Sequence, residues 1–163
     1  MKPLFFKFES DFAASGIRCI PMIVRFKLDA CGIKLKLQEW SCMQQDERIW
    51  LVSAPCCTPV ETQSYRQTLC ALILERTGNA ATEIHIMENP PWSRIDEIPF
   101  AIKEKMRETG WACALAQWQG FSDLQRFALW KLSFPGHENR NFPKAMAEFT
   151  QMPVVTRHMD SSH

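Results

Sequence analysis

The residue types best suited to acid–base chemistry lie together in one polar turn near the C-terminal end of the chain. This turn reads Gly136-His137-Glu138-Asn139-Arg140-Asn141. A histidine beside a glutamate can exchange protons near neutral pH, because the ordinary pKa of imidazole lies there. No nucleophile or second histidine neighbours the pair in sequence. A loop whose side chains bond to the backbone, with Asn141 capping the next helix, is therefore the competing interpretation.

A lysine within an apolar stripe is the second candidate. On a helical wheel, Lys131 falls in the same sector as Leu124 and Phe127. A buried ammonium needs a partner or takes a lowered pKa, which favours a site lysine or an anion holder. A lysine stem that runs past the core with its charged end in water explains the same pattern.

Three charges at alternating positions stand in an otherwise apolar segment. They are Arg25, Lys27 and Asp29, and the residues between them are apolar. A helix with apolar residues on all sides is normally buried. The charges then indicate either an internal ion pair that sets the helix register or a polar docking patch, and both interpretations stay open at this point.

The cysteines argue against a metal site. Seven thiols with an odd count and no C-x-x-C pair are typical of small, buried, reduced side chains, and they stand at positions 19, 31, 42, 56, 57, 70 and 113. The sequence therefore predicts no metal and no bound cofactor. Cys19 and Cys31 remain the thiols that a metal or cofactor carrier would use.

Charge and hydropathy narrow the classes of partner. The formal net charge is +1, without a basic run, which disfavours a nucleic-acid-binding protein. No stretch approaches the ~20 apolar residues of a spanning helix, and the N-terminal sequence does not resemble a secretory signal. We therefore expect a cytoplasmic protein that binds neither nucleic acid nor membrane.

Helices must position these residues. Capping and periodicity predict them over 22–31, 39–52, 59–76, 99–110, 123–132 and 142–149. Thr58 with Glu61 and Ser122 with Gln125 are predicted capping boxes at two of these starts. Alternating residues 33–37 and 84–86 suit two short strands. The fold class predicted is all-α, a single-domain bundle of five or six helices with a short two-stranded hairpin.

One domain is expected over residues 1–150. It begins with an irregular N-terminal arm anchored by the rings of Phe5, Phe8 and Phe12. Residues 151–163 are polar and are predicted to form a disordered tail.

Two blocks of sequence resemble a known family. The first begins Phe8-Glu9, contains Arg18-Cys19-Ile20-Pro21-Met22-Ile23-Val24-Arg25-Phe26-Lys27-Leu28-Asp29, and ends near Trp40. The second contains Gln125-Arg126-Phe127-Ala128-Leu129, Lys131-Leu132, Pro135-Gly136-His137-Glu138 and Asn141-Phe142, and ends near Phe149. Together they resemble the nitrate reductase-associated protein family.

The resemblance implies an accessory role toward assimilatory nitrate reductase, in its assembly, maturation or activity. It implies nitrate reductase or a related client enzyme as the partner. The family's recurring residues match at positions that would form a partner-binding patch: Arg25, Lys27, Asp29, Arg126, Lys131, His137, Glu138 and Asn141.

The lack of a nucleophile or metal motif favours a binding protein over an enzyme. The alternative is a small enzyme or a metal or cofactor carrier that uses the His137–Glu138 turn, Lys131 and the thiols of Cys19 and Cys31.

Overall fold

The computed structural model describes residues 5–9, 19–135 and 140–151 of the 163-residue chain. The described part is mostly helical. Its helices are α1 (Met22–Cys31), α2 (Leu37–Cys42), α3 (Gln45–Ser53), α4 (Pro59–Thr77), α5 (Phe100–Thr109), α6 (Leu115–Gly120), α7 (Asp123–Leu132) and α8 (Phe142–Thr150). Its strands are β1 (Ile33–Lys34) and β2 (Thr82–Glu83), and single 3₁₀ turns cover Lys7–Glu9 and Pro91–Ser93.

The chain divides into two compact units, residues 1–90 and 91–163. In the first unit, α1 and α2 pack on the long helix α4, and α3 packs on α1. In the second unit, α7 packs on the 3₁₀ turn at Pro91–Ser93, on α5 and on α8. The predicted single domain over residues 1–150 stays a prediction.

Helix α1 is bounded by residues that the sequence identifies. Pro21 precedes its first turn, and Gly32 ends it in the left-handed conformation with φ of 74°. The chain then enters β1, which pairs antiparallel with β2 in the register Ile33 to Glu83 and Lys34 to Thr82. The predicted hairpin is confirmed, although its second strand lies at Thr82–Glu83 and not at residues 84–86.

The N-terminal arm closes the start of α1. Glu9 Oε1 accepts a hydrogen bond of 3.0 Å from the Met22 backbone N–H, which is an otherwise unpaired donor of the first helical turn. Phe8 is buried and Phe5 is exposed. The predicted anchor Phe12 lies outside the described residues.

The segment predicted as one helix over 39–52 is two helices. Helix α2 ends at Met43, whose backbone is extended, and α3 begins after Gln44. Arg48 stabilises the break, because its guanidinium donates to the main-chain oxygens of Trp40 and Ser41, both at 3.0 Å. One side chain therefore closes the end of α2 from within α3.

Helix α4 carries the core of the first unit. Thr58 and Glu61 form the predicted capping box, and Gly78 ends the helix with φ of 73°. Tyr65, Leu69 and Ile73 are its buried stripe, and Leu72 beside them is half-buried. The Glu47 carboxylate of α3 accepts a bidentate pair of hydrogen bonds from Arg76, which fixes α3 against the far end of α4.

The second unit is built around aromatic rings. Trp92 meets the Phe127 ring edge-on, with 5.0 Å between centroids.

The capping box at Ser122 and Gln125 opens α7, as predicted. Helix α6 was not predicted. Asn141 occupies the position before α8 that the loop interpretation assigns to it, but its side chain makes no capping hydrogen bond.

The all-α class with a small hairpin is confirmed. The described residues contain eight helices against the five or six expected, because the 39–52 segment is divided and α6 is additional. Residues 152–163 of the predicted disordered tail lie outside the described residues, and Gln151 ends α8 with φ of 54°.

Candidate functional site

Lys27 is buried and bound to the end of a neighbouring helix. Its side chain leaves α1 and donates to the main-chain oxygens of Val52 and Ala54, each at 2.6 Å. The Tyr65 hydroxyl donates to the oxygen of Leu51 at 2.7 Å. Because the last carbonyls of a helix lack partners within it, Lys27 and Tyr65 together satisfy the C-terminal end of α3.

The charge of Lys27 is held in a low-dielectric environment. Burial lowers the pKa of its ammonium, and the nearby thiols of Cys56 and Cys57 act in the opposite direction. The ammonium also lies 5.7 Å from the centroid of the Tyr65 ring. The negative end of the α3 dipole favours a cation at this position. Lys27 thus joins α1 to α3, and its ammonium points away from solvent.

Arg25 and Asp29 are the more accessible charges of α1. Both are half-buried. Arg25 Nε donates to the main-chain oxygen of Ile20 at 2.9 Å, which ties the side chain to the segment before the helix. Of the three α1 charges in the predicted patch, these two keep surface that a partner could reach.

The thiols of the first unit are mostly shielded. Cys31 is 1% exposed, and burial, with a contribution from Cys56, raises the pKa of its thiol to about 11. The Cys56 sulfur lies 3.9 Å from both the Lys27 main-chain oxygen and Thr62 Oγ1, and burial raises its pKa as well. Cys19 is half-buried. Since the thiolate is the metal ligand and nucleophile, Cys31 is poorly suited to either role.

Arg126 has the same bracing role in the second unit. It is 5% exposed, and its guanidinium donates to the main-chain oxygens of Trp92 at 2.8 Å, Trp118 at 3.4 Å and Phe121. A further nitrogen pairs with the Asp123 carboxylate. The rigid fork of arginine therefore joins α7 to the Trp92 turn and to the end of α6.

The remaining predicted patch residues of the second unit lie on α7 and before α8. Lys131 is half-buried, and its ammonium lies 5.3 Å from the centroid of the Phe127 ring. This is the contact expected from a stem that runs along the core. Asn141 is buried. His137 and Glu138 lie outside the described residues, so the patch as a whole stays a prediction.

Sequence reasoning missed an exposed apolar run next to the hairpin. Ile84, Ile86 and Met87 are 37%, 46% and 47% exposed, and they follow β2 directly. The alternation of Ile84 and Ile86 around His85 was identified as a strand signal, but no residue pattern indicated that both isoleucines would stay accessible.

A membrane-spanning helix and a cluster of metal ligands are both absent from the part of the chain that the structure describes. Within residues 5–9, 19–135 and 140–151, no helix has the length and hydropathy needed to cross a membrane. Across those same ranges, no group of three or more His, Cys, Asp or Glu side chains is arranged to hold a metal ion.

Comparison with known proteins gives one clear result. No curated protein and no solved structure matches the chain. A family model described as conserved nitrate reductase-associated protein matches residues 5–149, which include both sequence blocks and most of each structural unit. The chain therefore belongs to the nitrate reductase-associated protein family.

Proposed function

We propose that this protein is an accessory factor that assists the assembly, maturation or activity of assimilatory nitrate reductase by binding it. The family name supports an association with that enzyme. The route of action, protein–protein binding in the cytoplasm, is our proposal.

The observation that carries the proposal is the exposed apolar run at Ile84, Ile86 and Met87. Single exposed apolar residues are ordinary, but here three stand within four positions, and Ile84 and Ile86 lie on the same side of an extended segment. Covering these apolar side chains with a partner lowers the free energy of the complex. The flexible side chain of methionine adapts readily to a partner's shape. A client protein is the occupant that the family association supports.

Each of the two units also carries charged residues of the predicted patch that a partner could reach. Arg25 and Asp29 are partly exposed on α1, and Lys131 is partly exposed on α7. Lys27 and Arg126 are buried, so their contribution would be to hold the helices that carry the others. Asn141 is also buried and would act in the same way on α8, whereas His137 and Glu138 remain patch residues predicted from the sequence.

The alternative is a small enzyme or a carrier that uses the His137–Glu138 turn, Lys131, Cys19 and Cys31. The burial of Cys31 weighs against the carrier. Burial raises the pKa of this thiol to about 11, so the thiol is almost entirely protonated near neutral pH. The contact of Lys131 with the Phe127 ring is also that of a structural lysine.

An affinity pull-down tests the proposal. The tagged full-length protein would be recovered from nitrate-grown cells, and the eluate analysed for nitrate reductase and for metal. A triple variant, Ile84→Ser, Ile86→Ser and Met87→Ser, should lose most of the recovered enzyme. The matched control is Val60→Ser with Leu74→Ser, which removes exposed apolar side chains from α4 and should retain binding.

The outcomes separate the two functions. Recovery of nitrate reductase that depends on the apolar run supports the accessory factor. Metal or cofactor on the isolated protein, without nitrate reductase in the eluate, would reject it in favour of the carrier. Equal recovery by wild type and triple variant would remove the apolar run from the binding surface.

A further inference from the structure

The hairpin leaves one edge of its sheet open. Its register places Ile33 opposite Glu83 and Lys34 opposite Thr82, and the Ile84 N–H donates to the Gly32 oxygen at 2.9 Å. In an antiparallel pair, hydrogen-bonded and non-hydrogen-bonded positions alternate. Glu83 therefore occupies a non-hydrogen-bonded position, and its backbone N–H and C=O point away from β1.

The same alternation extends beyond the strand. No turn or bend interrupts residues 84–87. An extended chain there would direct the backbone groups of His85 to the same side as those of Glu83. The sheet has two strands, β1 and β2, in the described part of the chain. Within that part the backbone groups of Glu83 and His85 on the outer edge form no hydrogen bond, and residues 83–89 are exposed.

Apolar side chains accompany this open edge. Ile84 and Ile86 share one direction along the strand, and Met87 follows them. The Ile86 side chain lies against Gly32, which keeps the segment beside the end of α1. This edge offers unpaired backbone donors and acceptors together with accessible apolar side chains. Another extended strand is complementary to it, since only a strand presents its own backbone groups at the same two-residue spacing.

We infer that the outer edge from Glu83 to Met87 accepts an extended segment of the client polypeptide as a third strand. The segment would carry apolar side chains at alternate positions, to cover Ile84 and Ile86, and main-chain hydrogen bonds to Glu83 and His85. This inference rests on the proposed function and adds the mode of binding to it.

Proline substitution at the edge tests the inference. His85→Pro removes an outward N–H and places a ring where a third strand would lie, while the Ile84 bond to Gly32 remains. We expect at least about tenfold weaker binding of purified nitrate reductase in a calorimetric titration, with an unchanged Tm. His85→Ala is the matched control, because it removes the imidazole, retains the N–H and should bind like wild type.

A second measurement needs no variant. Hydrogen exchange of the full-length protein should show slowed exchange at the Glu83 and His85 amides when nitrate reductase is added, whereas the Ile84 amide is already bonded in the free protein. Unchanged exchange at both edge amides in a formed complex would overturn the inference even if His85→Pro proved unstable.

Each remaining outcome is decisive. Normal binding by His85→Pro overturns the edge and leaves the proposed function standing. If His85→Ala loses as much affinity as His85→Pro, the effect belongs to the imidazole, and the inference that the edge accepts a strand is wrong. Failure of wild type to bind rejects the proposed function and the inference together. A wild-type dimer that His85→Pro converts to a monomer in sedimentation equilibrium would assign the edge to a second copy and not to the client.

Discussion

The Lys27 ammonium lies 2.6 Å from the main-chain oxygen of Val52, a residue 25 positions further along the chain. A charged side chain of α1 thereby donates hydrogen bonds to main-chain oxygens at the C-terminal end of α3. The relationship joins α1, which carries the accessible charges Arg25 and Asp29, to α3, and it makes the position of those charges depend on Lys27.

Replacing Lys27 with methionine should destabilise the first unit. The substitution leaves the Val52 and Ala54 oxygens buried without their donor, and a buried unpaired polar group costs about 1–3 kcal/mol. Because the ammonium is no longer desolvated, part of this cost is offset, and we expect a net loss of about 2 kcal/mol. Urea unfolding measures the effect. Lys34→Met, at an exposed position, should change the free energy of unfolding by less than about 0.5 kcal/mol.

Tyr65→Phe should show that the two donors act on one structural feature. The substitution removes the hydroxyl that donates to Leu51, at an expected cost of about 1–2 kcal/mol. Once Lys27→Met has loosened the end of α3, the same change should cost less, so a double-mutant cycle should give a coupling of about 0.5–1 kcal/mol. Strict additivity would mean that Lys27 and Tyr65 stabilise the helix end independently.

The Cys31 thiol should make the protein less stable at alkaline pH. Its pKa is raised to about 11 in the folded state, so between the ordinary thiol pKa and 11 the unfolded chain loses a proton that the folded protein keeps. The stabilisation is complete below the unfolded pKa and is lost as pH rises through the folded one, at up to about 1.4 kcal/mol per pH unit.

Cys31→Ala should therefore flatten the fall in unfolding free energy from about pH 8 to pH 11, measured under reducing conditions. A decline remains in the variant, because burial also raises the pKa values of Cys56 and Tyr65. The control Cys42→Ala, at an exposed position, should follow the wild-type curve. A Cys31→Ala curve parallel to wild type would show that this thiol does not titrate differently on unfolding.

The sequence predicts the helix ends better than it predicts the bonds between helices. Thr58 with Glu61 and Ser122 with Gln125 are local signals, since cap and capped groups lie within one turn, and both are confirmed. Lys27 and Arg126 were expected in a docking patch because they match recurring residues of the family. Their acceptors at Val52 and Trp92 lie 25 and 34 positions away, and no local pattern encodes them.

Trp118 and Trp40 are both buried and each has an arginine guanidinium over its ring, so they provide a matched test of hydrogen bonding. Trp118 Nε1 donates to the Arg94 oxygen at 2.9 Å, whereas Trp40 Nε1 has no partner among the residues that the structure describes. Each ring carries a guanidinium, Arg126 at 5.9 Å and Arg48 at 5.7 Å from the ring, so that contribution cancels in the comparison.

Phenylalanine at either position removes the same volume. We expect Trp118→Phe to reduce the free energy of unfolding by about 1 kcal/mol more than Trp40→Phe, because only the former breaks a hydrogen bond. Chemical unfolding monitored by circular dichroism, with aromatic fluorescence as a second probe, measures both variants. An equal loss would show that the Trp118 bond contributes no net stability.

A side chain at Gly32 should disturb the open edge beside it. Gly32 has φ of 74°, and an added Cβ would lie 2.9 Å from Ile86 Cγ1 and 3.0 Å from the Ile84 main-chain oxygen. Gly110 has nearly the same φ, 75°, with no atom within 4 Å of an added Cβ. Alanine at either position incurs the left-handed backbone cost of about 1–2 kcal/mol, but only at Gly32 must neighbouring atoms also move.

We therefore expect Gly32→Ala to lower the free energy of unfolding by at least about 1 kcal/mol more than Gly110→Ala. Because the displaced atoms belong to Ile84 and Ile86, it should also weaken the proposed binding of nitrate reductase, whereas Gly110→Ala should bind normally. Unfolding and calorimetric binding would be measured on the same samples. A Gly32→Ala variant with normal affinity, despite its lower stability, would show that the client does not depend on the position of residues 84–86.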